Sequence, residues 1–268
     1  MRSRRGTTEG GSTLRVVPDL LVILGCTVAA GLLLRTFLLG AFVVPTRSME
    51  STLVPGDVVL VNRLAYGLTL PDWFPLVSSS GGGLRLVTLS EPRRGDILAF
   101  VGHPSDVAGR TAPTLLKRCV GVPGDTLVLA GDRLRGVIVE RPTAGRGTKA
   151  RTIVLPRAGD IVELTPTTAA LFRMLVEDDG HMLTIEGDGG VRVDGRLTDR
   201  YRVSQDAYFV LGDNRPASLD SRVFGVVPAG RVLGKAVLVF WSRMDQAEPG
   251  MFPPLLAGVR WTRIGTLL

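Results

Sequence analysis

The sequence predicts a mostly β protein behind a single N-terminal membrane-crossing helix, and three observations carry that prediction. Residues 20–44, LLVILGCTVAAGLLLRTFLLGAFVV, hold one charge, Arg35, in 25 positions, and an apolar helix needs about 20 residues to cross a bilayer. Downstream, short β-branched and apolar runs recur between Gly, Pro and Asp turns, which is the spacing of a β-barrel or sandwich. A single helical pattern, TTAALFRMLVEDDG, interrupts them.

Taken in order, Arg2, Arg4, Arg5 and Arg15 outweigh Glu9 and Asp19 ahead of the apolar run. The positive-inside rule therefore keeps residues 1–19 in the cytoplasm and puts everything after residue 44 outside. The run is longer than the core of a cleaved leader, and no small-x-small site follows it closely, so it reads as an anchor. Pro45 ends the helical pattern, and GDVVLVNRL (56–64) is the first strand. Residues 71–95, with SSSGGG at 78–83, read either as a flexible excursion across the surface or membrane interface or as a passive loop.

GDILAFV (95–101), TLLKRCVGV (114–122), DTLVLAG (125–131), RTIVLP (151–156) and GDIVELT (159–165) follow as strands. The helix at 167–180 has Thr167 or Thr168 as N-cap and Gly180 as its stop. Strand patterns resume through HMLTIEGD, GVRVDGRL and AYFVLGDN, and again at GKAVLVFWS (234–242). The tail VRWTRIGTLL is too short and too charged to span a bilayer, although its Trp and Arg suit an interface.

Composition narrows the function. With 45% hydrophobic and 21% charged residues, the 268-residue chain is folded rather than disordered throughout. The net charge of +7 comes from scattered residues without an aromatic-interleaved basic motif, so it reads as a solvated surface and not a nucleic-acid site. Cys26 lies in the apolar run and Cys119 in a soluble strand, so no disulfide is expected. The chain has no CxxC, HExxH or GxxxxGK[ST] motif and no histidine cluster, so neither a metal nor another cofactor is expected.

Chemistry is suggested by FVVPTRSME (42–50), which places Ser48 just beyond the apolar run. A serine hydroxyl needs a base to take its proton. His103 in GHPSD and His181 in DDGHM occupy turn-like, solvated settings. Lysine is the sharper clue, because the chain has 29 arginines and only Lys117, Lys149 and Lys235. Arginine cannot be deprotonated in a protein, whereas a desolvated lysine can. Lys149 sits in a Gly/Arg-rich loop. Lys117 sits inside TLLKRCVGV, where strand alternation puts it on the face of Leu115 and Cys119 and burial would lower its pKa. A strand lysine snorkelling to solvent is the alternative reading.

Four blocks, FVVPTRSMESTL, GDVVLVNRLAYG, LLKRCVGVPGD and YFVLGDNRPASLDSRVFGVVP, resemble the conserved boxes of type I signal peptidases in order and spacing. The ending VRWTRIG is similar too, and the resemblance spans residues 35–265, loosely over 131–205. It implies a membrane-anchored pair of antiparallel β-domains whose Ser/Lys dyad cuts signal peptides from exported preproteins after Ala-x-Ala-like sites. The enzyme would sit on the outer face of the bacterial cytoplasmic membrane, with signal peptides and membrane lipid as partners.

The implied domains are a cytoplasmic segment 1–19, an anchor 20–44, a catalytic β-domain from 45–130 and 206–245, a β-rich insertion 131–205 and a tail 246–268. Carried over residue by residue, the resemblance makes Ser48 the nucleophile and Lys117 its general base, with Thr46 and the Ser48 amide as the oxyanion hole. Ser218 would orient the lysine, Asp220 and Arg222 would buttress the region, and Asp213 and Asn214 would shape its turn. Phe42, Val44, Pro45, Met49, Leu53, Val59, Leu115 and Leu116 would line the substrate pockets.

Arg47 stands where glycine is common in that family, Ser51 where proline is common, and Pro216-Ala217 replaces a polar pair. A charged side chain at 47 is placed to meet lipid headgroups or the substrate's polar region. Two other readings compete. A self-cleaving repressor-type Ser/Lys peptidase is soluble, which the apolar run opposes. A membrane-anchored β-rich binding or scaffold protein needs none of Ser48, Thr46, Lys117 and Ser218.

Overall fold

Along Asp57–Asn62 every second residue, Asp57, Val59 and Val61, is buried, the period of two that a strand demands when one face lies on a core. That strand belongs to a seven-stranded sheet in a computed structural model that describes residues 20–28, 31, 38–70, 84–102, 113–129, 137–139, 151–244 and 258–268. The seven strands are β1 (Leu39–Val43), β2 (Asp57–Asn62), β3 (Ile97–Val101), β4 (Thr114–Gly121), β5 (Ala207–Leu211), β6 (Val227–Pro228) and β7 (Val232–Ser242). Their order is β1-β2-β7-β3-β4-β5-β6, and every pairing is antiparallel.

The sheet carries a core on each face. Ile97 and Ala99 join one cluster with Val44, Met49, Leu53, Val59 and Val239, while Leu98 and Phe100 join another with Tyr66, Cys119, Tyr208 and Val232. A third cluster forms around helix α1 (Pro166–Asp178), which buries Ala169, Leu171, Phe172, Met174, Leu175 and Val176. Small antiparallel sheets surround it: Ile161–Glu163 with Arg200–Arg202, and Leu183–Ile185 with Val191–Val193 and Arg196–Leu197. The helix starts earlier than the sequence suggests. Thr165 is the N-cap, and Thr165 and Thr168 close a capping box around Pro166, each satisfying an orphan donor of the first turn.

One expectation is corrected at the N-terminal side. The apolar run predicts a helix through residue 44, but its last part, Leu39–Val43, is β1, paired with β2 from Leu39↔Asn62 to Val43↔Val58. Apolarity alone does not separate a buried strand from a helix, and GAFVV carries the aromatic and β-branched residues that a sheet favours. Residues 20–28 and 31 are helical, with Leu20, Leu21, Val22, Ile23, Leu24 and Val28 exposed. Among the described residues no helix is long and apolar enough to cross a membrane.

The stretch 71–95 is likewise more ordered at its end than expected. Leu84–Thr88 pairs with Gly67–Leu70, while residues 71–83 lie outside the described part. The tail packs back on the sheet: Val239 and Leu268 donate backbone hydrogen bonds to Thr266 and Val237, and Leu268 joins the core cluster of Val44 and Met49.

Candidate active site

Ser48 lies on a single 3₁₀ turn, Arg47–Met49, between β1 and β2. Met49 is buried and anchors the turn. Thr46 takes the N-cap position in an extended conformation without capping through its side chain; instead its hydroxyl lies 3.2 Å from Ser48 Oγ. The first amides of such a turn have no intrahelical acceptor, so the Ser48 N–H belongs to the group that could receive an oxyanion.

Lys117 reaches this serine from β4, 69 residues away in sequence. Its Nζ stands 2.5 Å from Ser48 Oγ, and both residues are buried, at 3% and 8% exposure. Burial lowers the lysine pKa to about 8, and the charge of Asp220 opposes that shift only in part. A lysine with this pKa has a substantial neutral fraction near pH 8, which is what a general base requires.

Asp220 is fully buried. Burial raises its pKa, but hydrogen bonds from Arg222 and the Gly212 N–H, with Ser218 beside it, hold the carboxyl below the usual range. Asp220 also caps helix α2 (Ser221–Phe224) by accepting from the Arg222 amide. Arg222 then donates to the Arg215 carbonyl and ties down the loop before it. Ser218 Oγ is buried and has no partner at hydrogen-bond geometry. Gly212 separates it from the Ser48 backbone: a Cβ there would meet Ser218 and lie 2.5 Å from the Ser48 carbonyl oxygen.

A second polar network grips the serine loop. The Asn214 amide N–H donates to the Ser48 carbonyl at 3.0 Å, and Asn214 Nδ2 donates to the Arg47 carbonyl at 3.0 Å. Asp213 accepts from Thr52 Oγ1 and from both arms of Arg118. Burial raises the Asp213 pKa, but these partners bring it below the ordinary value. Further along, the fully buried Asp57 is held by Ser242, the Val54 amide and Arg263, which also donates to the Thr52 carbonyl.

Of the expected pocket residues, Phe42, Val44, Met49, Leu53, Val59 and Leu116 meet in one apolar cluster, with Phe42 and Leu116 only partly buried. Pro45 is exposed. Leu115 does not join them: it packs on the opposite core, with Tyr66, Phe100 and Cys119, because consecutive strand residues point to opposite faces. Thr52, Asp57, Arg118, Gly212 and Arg263 had no role in the sequence reading. All five lie inside the quoted blocks or the ending VRWTRIG, the only signal that marked them.

Among the described residues the rival catalytic groups are occupied elsewhere. His181 Nδ1 lies 2.7 Å from Asp194, and His103 and Lys149 fall outside the described residues. Lys235 is paired with Asp96. Burial pushes the Cys119 thiol up to about 12, far from a reactive thiolate. Among the described residues no cluster of three or more His, Cys, Asp or Glu is arranged to hold a metal ion.

A model of the signal peptidase family, peptidase S26, matches residues 17–241. The chain belongs to this family. Its relatives include "Signal peptidase I" of Pseudomonas aeruginosa, 29% identical over 237 residues, covering 80% of this chain and 69% of the relative. "Signal peptidase I" of Buchnera aphidicola subsp. Baizongia pistaciae is 28% identical over 262 residues, covering 88% and 78%. A solved signal peptidase I from Enterococcus faecalis, 25% identical, covers 55% of this chain and 98% of its own, with a TM-score of 0.24. In this S26 peptidase the family match takes in β1 and the serine turn, β4 and the 212–222 loop, the segments that bring Ser48, Lys117 and Asp220 together.

Proposed function

We propose that Ser48 and Lys117 form the dyad of a membrane-anchored endopeptidase that removes N-terminal signal peptides from exported preproteins, cutting after Ala-x-Ala-like sites. The observation that carries this reading is the 2.5 Å approach of Lys117 Nζ to Ser48 Oγ in a buried setting. In the reactive form the serine hydroxyl donates to the neutral amine. As Oγ attacks the scissile carbonyl, its proton passes to Lys117. Negative charge then develops on the carbonyl oxygen, facing the Ser48 N–H and the Thr46 hydroxyl.

The lysine ammonium returns the proton to the leaving amine as the C–N bond breaks, leaving an ester on Ser48. A water molecule, deprotonated by the same lysine, hydrolyses the ester and regenerates the hydroxyl. Asp220 and Arg222 serve by fixing the 212–222 loop against the dyad; Ser218, expected to orient the lysine amine, makes no hydrogen bond to it here. Small side chains before the scissile bond suit a cluster whose members are mostly buried, with Phe42 and Leu116 among its partly exposed residues.

Placement follows from chain length. Because β1 begins at Leu39, the residues 39–48 span at most about 33 Å at roughly 3.3 Å per residue, so a membrane segment ending before β1 keeps Ser48 within that distance of the surface where a signal peptide's cleavage site emerges. The exposed apolar side chains at 20–24 and 28 are what a bilayer would cover. With the arginine-rich N-terminus inside, the catalytic part faces outward on the bacterial cytoplasmic membrane.

The test is to give the full-length protein, in detergent micelles, a preprotein with Ala at −1 and −3 and to sequence the new N-terminus. A cut after the −1 Ala supports the reading; an intact preprotein, or cuts unrelated to those alanines, defeats it. Protease added to intact spheroplasts should digest the catalytic part, and its protection there would invert the topology.

A further inference from the structure

A cavity of about 410 Å³, lined by Arg47, Glu50, Val54, Pro55, Arg260 and Arg263, opens one residue from the nucleophile. Its charges are unequally occupied. Arg263 is paired with the buried Asp57 at 2.6 Å. Arg260 stands 3.8 Å from the same carboxylate and donates to the Pro55 carbonyl. Glu50 accepts from Asn214 Nδ2. Arg47 is exposed and forms no ion pair among the described residues, so the groove carries an uncompensated positive charge at its edge nearest Ser48.

We infer that this groove receives the residues just after the scissile bond and favours a carboxylate, Asp or Glu, within the first three of them. The inference rests on the endopeptidase reading above. The apolar cluster of Phe42, Val44, Met49, Leu53, Val59 and Leu116 is claimed by the residues before the bond. The departing chain must run where that cluster does not. Val54 and Pro55 give the groove an apolar floor, and three guanidinium groups line it. An extended peptide advances about 3.3 Å per residue, so three residues carry a carboxylate within about 10 Å of the reacting carbonyl, inside the reach of Arg47. A lipid phosphate is the other anion of suitable charge. The peptide is favoured because the groove wall is the nucleophile's own loop, so its occupant is held in register with the scissile bond.

The experiment uses full-length protein in neutral detergent without lipid, and Ala-x-Ala peptides carrying Asp, Asn or Lys at +1, +2 or +3, with a control set varied at −2. The expected order of kcat/KM at one or more of the positions after the bond is Asp above Asn above Lys. The Asp to Asn ratio should be about 1.5-fold to fivefold at low salt, the range of a partly exposed charge pair, and should shrink towards one in 0.5 M NaCl, where the Debye length falls to a few ångströms. Arg47→Glu should invert the order within that one enzyme, a readout that a general loss of activity leaves intact.

Equal ratios in wild type and Arg47→Glu, a preference confined to −2, or an Arg47 effect that appears only when anionic phosphatidylglycerol vesicles are added would each overturn the inference. Turnover of all three peptides at one rate removes the groove's role and leaves the endopeptidase standing. Failure to cut any of them removes both.

Discussion

Lys117 shares its buried site with one opposing charge, Asp220, whose carboxylate works against the desolvation that lowers the lysine pKa to about 8. If neutral Lys117 is the base, kcat/KM rises with pH along a limb near pH 8 and then levels. Removing the Asp220 charge takes away the term that favours the ammonium, so the limb in Asp220→Asn moves to lower pH. His103→Ala with His181→Ala leaves it in place. A pH–rate profile of these proteins checks the assignment; a limb that vanishes with the histidines would transfer the role of base to one of them.

Burying Lys117 costs stability. Its folded pKa, about 8, lies below the ordinary lysine value of 10.5, so between those values the unfolded chain binds the extra proton and stability rises with pH. Below about pH 8 the full penalty is present. Lys117→Met keeps the volume and removes the charge, so it should be inactive yet more stable than wild type at pH 7 by about 1–3 kcal/mol, with a correspondingly higher unfolding temperature. The gap should close as pH approaches 10.5. Thermal unfolding at pH 7 and pH 10 measures it, and a less stable methionine variant at pH 7 would show the lysine to be structural.

The tail's hold on the serine loop runs through Arg263, which spans Asp57 and the Thr52 carbonyl. Arg263→Ala strands a fully buried carboxylate, a change of about 3–5 kcal/mol when a pair is wholly buried, and less here because Arg263 is about one quarter exposed. Arg263→Lys should recover part of it. Denaturant unfolding of both variants reports the effect, and an unchanged midpoint for Arg263→Ala would mean that the ion pair contributes nothing.

Gly212 gives a finer probe. A methyl group there collides with Ser218 and comes within 2.5 Å of the Ser48 carbonyl oxygen, so Gly212→Ala must push the serine turn or the 218 loop aside. Shifts of about 1 Å in a catalytic group cost on the order of 10²-fold in rate. Peptide turnover should fall by that order while circular dichroism stays native. Full activity in Gly212→Ala would show the packing to be looser than described.

How much of this the sequence carried depends on the range of the interaction. GDVVLVNRL and TLLKRCVGV announced β2 and β4 because period-two burial is local, and GDILAFV announced β3 as a short apolar run bounded by turns, buried on both faces. The lysine bias singled out Lys117, and alternation grouped it correctly with the buried Cys119. Leu39–Val43 misled because a strand buried in an apolar run has the same composition as the end of a helix. Leu115 and Leu116 were both assigned to the pocket, although adjacent strand residues cannot share a face. Asp57 with Arg263, and Thr52 with Arg118 and Asp213, were invisible because partners 66 to 206 residues apart leave no spacing to read.

The central claim is that Ser48 and Lys117 act as one unit. Single-turnover cleavage of an Ala-x-Ala peptide should be compared for wild type, Ser48→Ala, Lys117→Ala, the double variant and Lys117→Arg. Each single alanine variant should lose at least about 10³-fold, and the double variant should be hardly worse than either, since a nucleophile and its base fail together. Lys117→Arg should be as inactive as Lys117→Ala, because arginine stays protonated. Substantial turnover by Lys117→Arg, or losses that add in the double variant, would contradict the dyad.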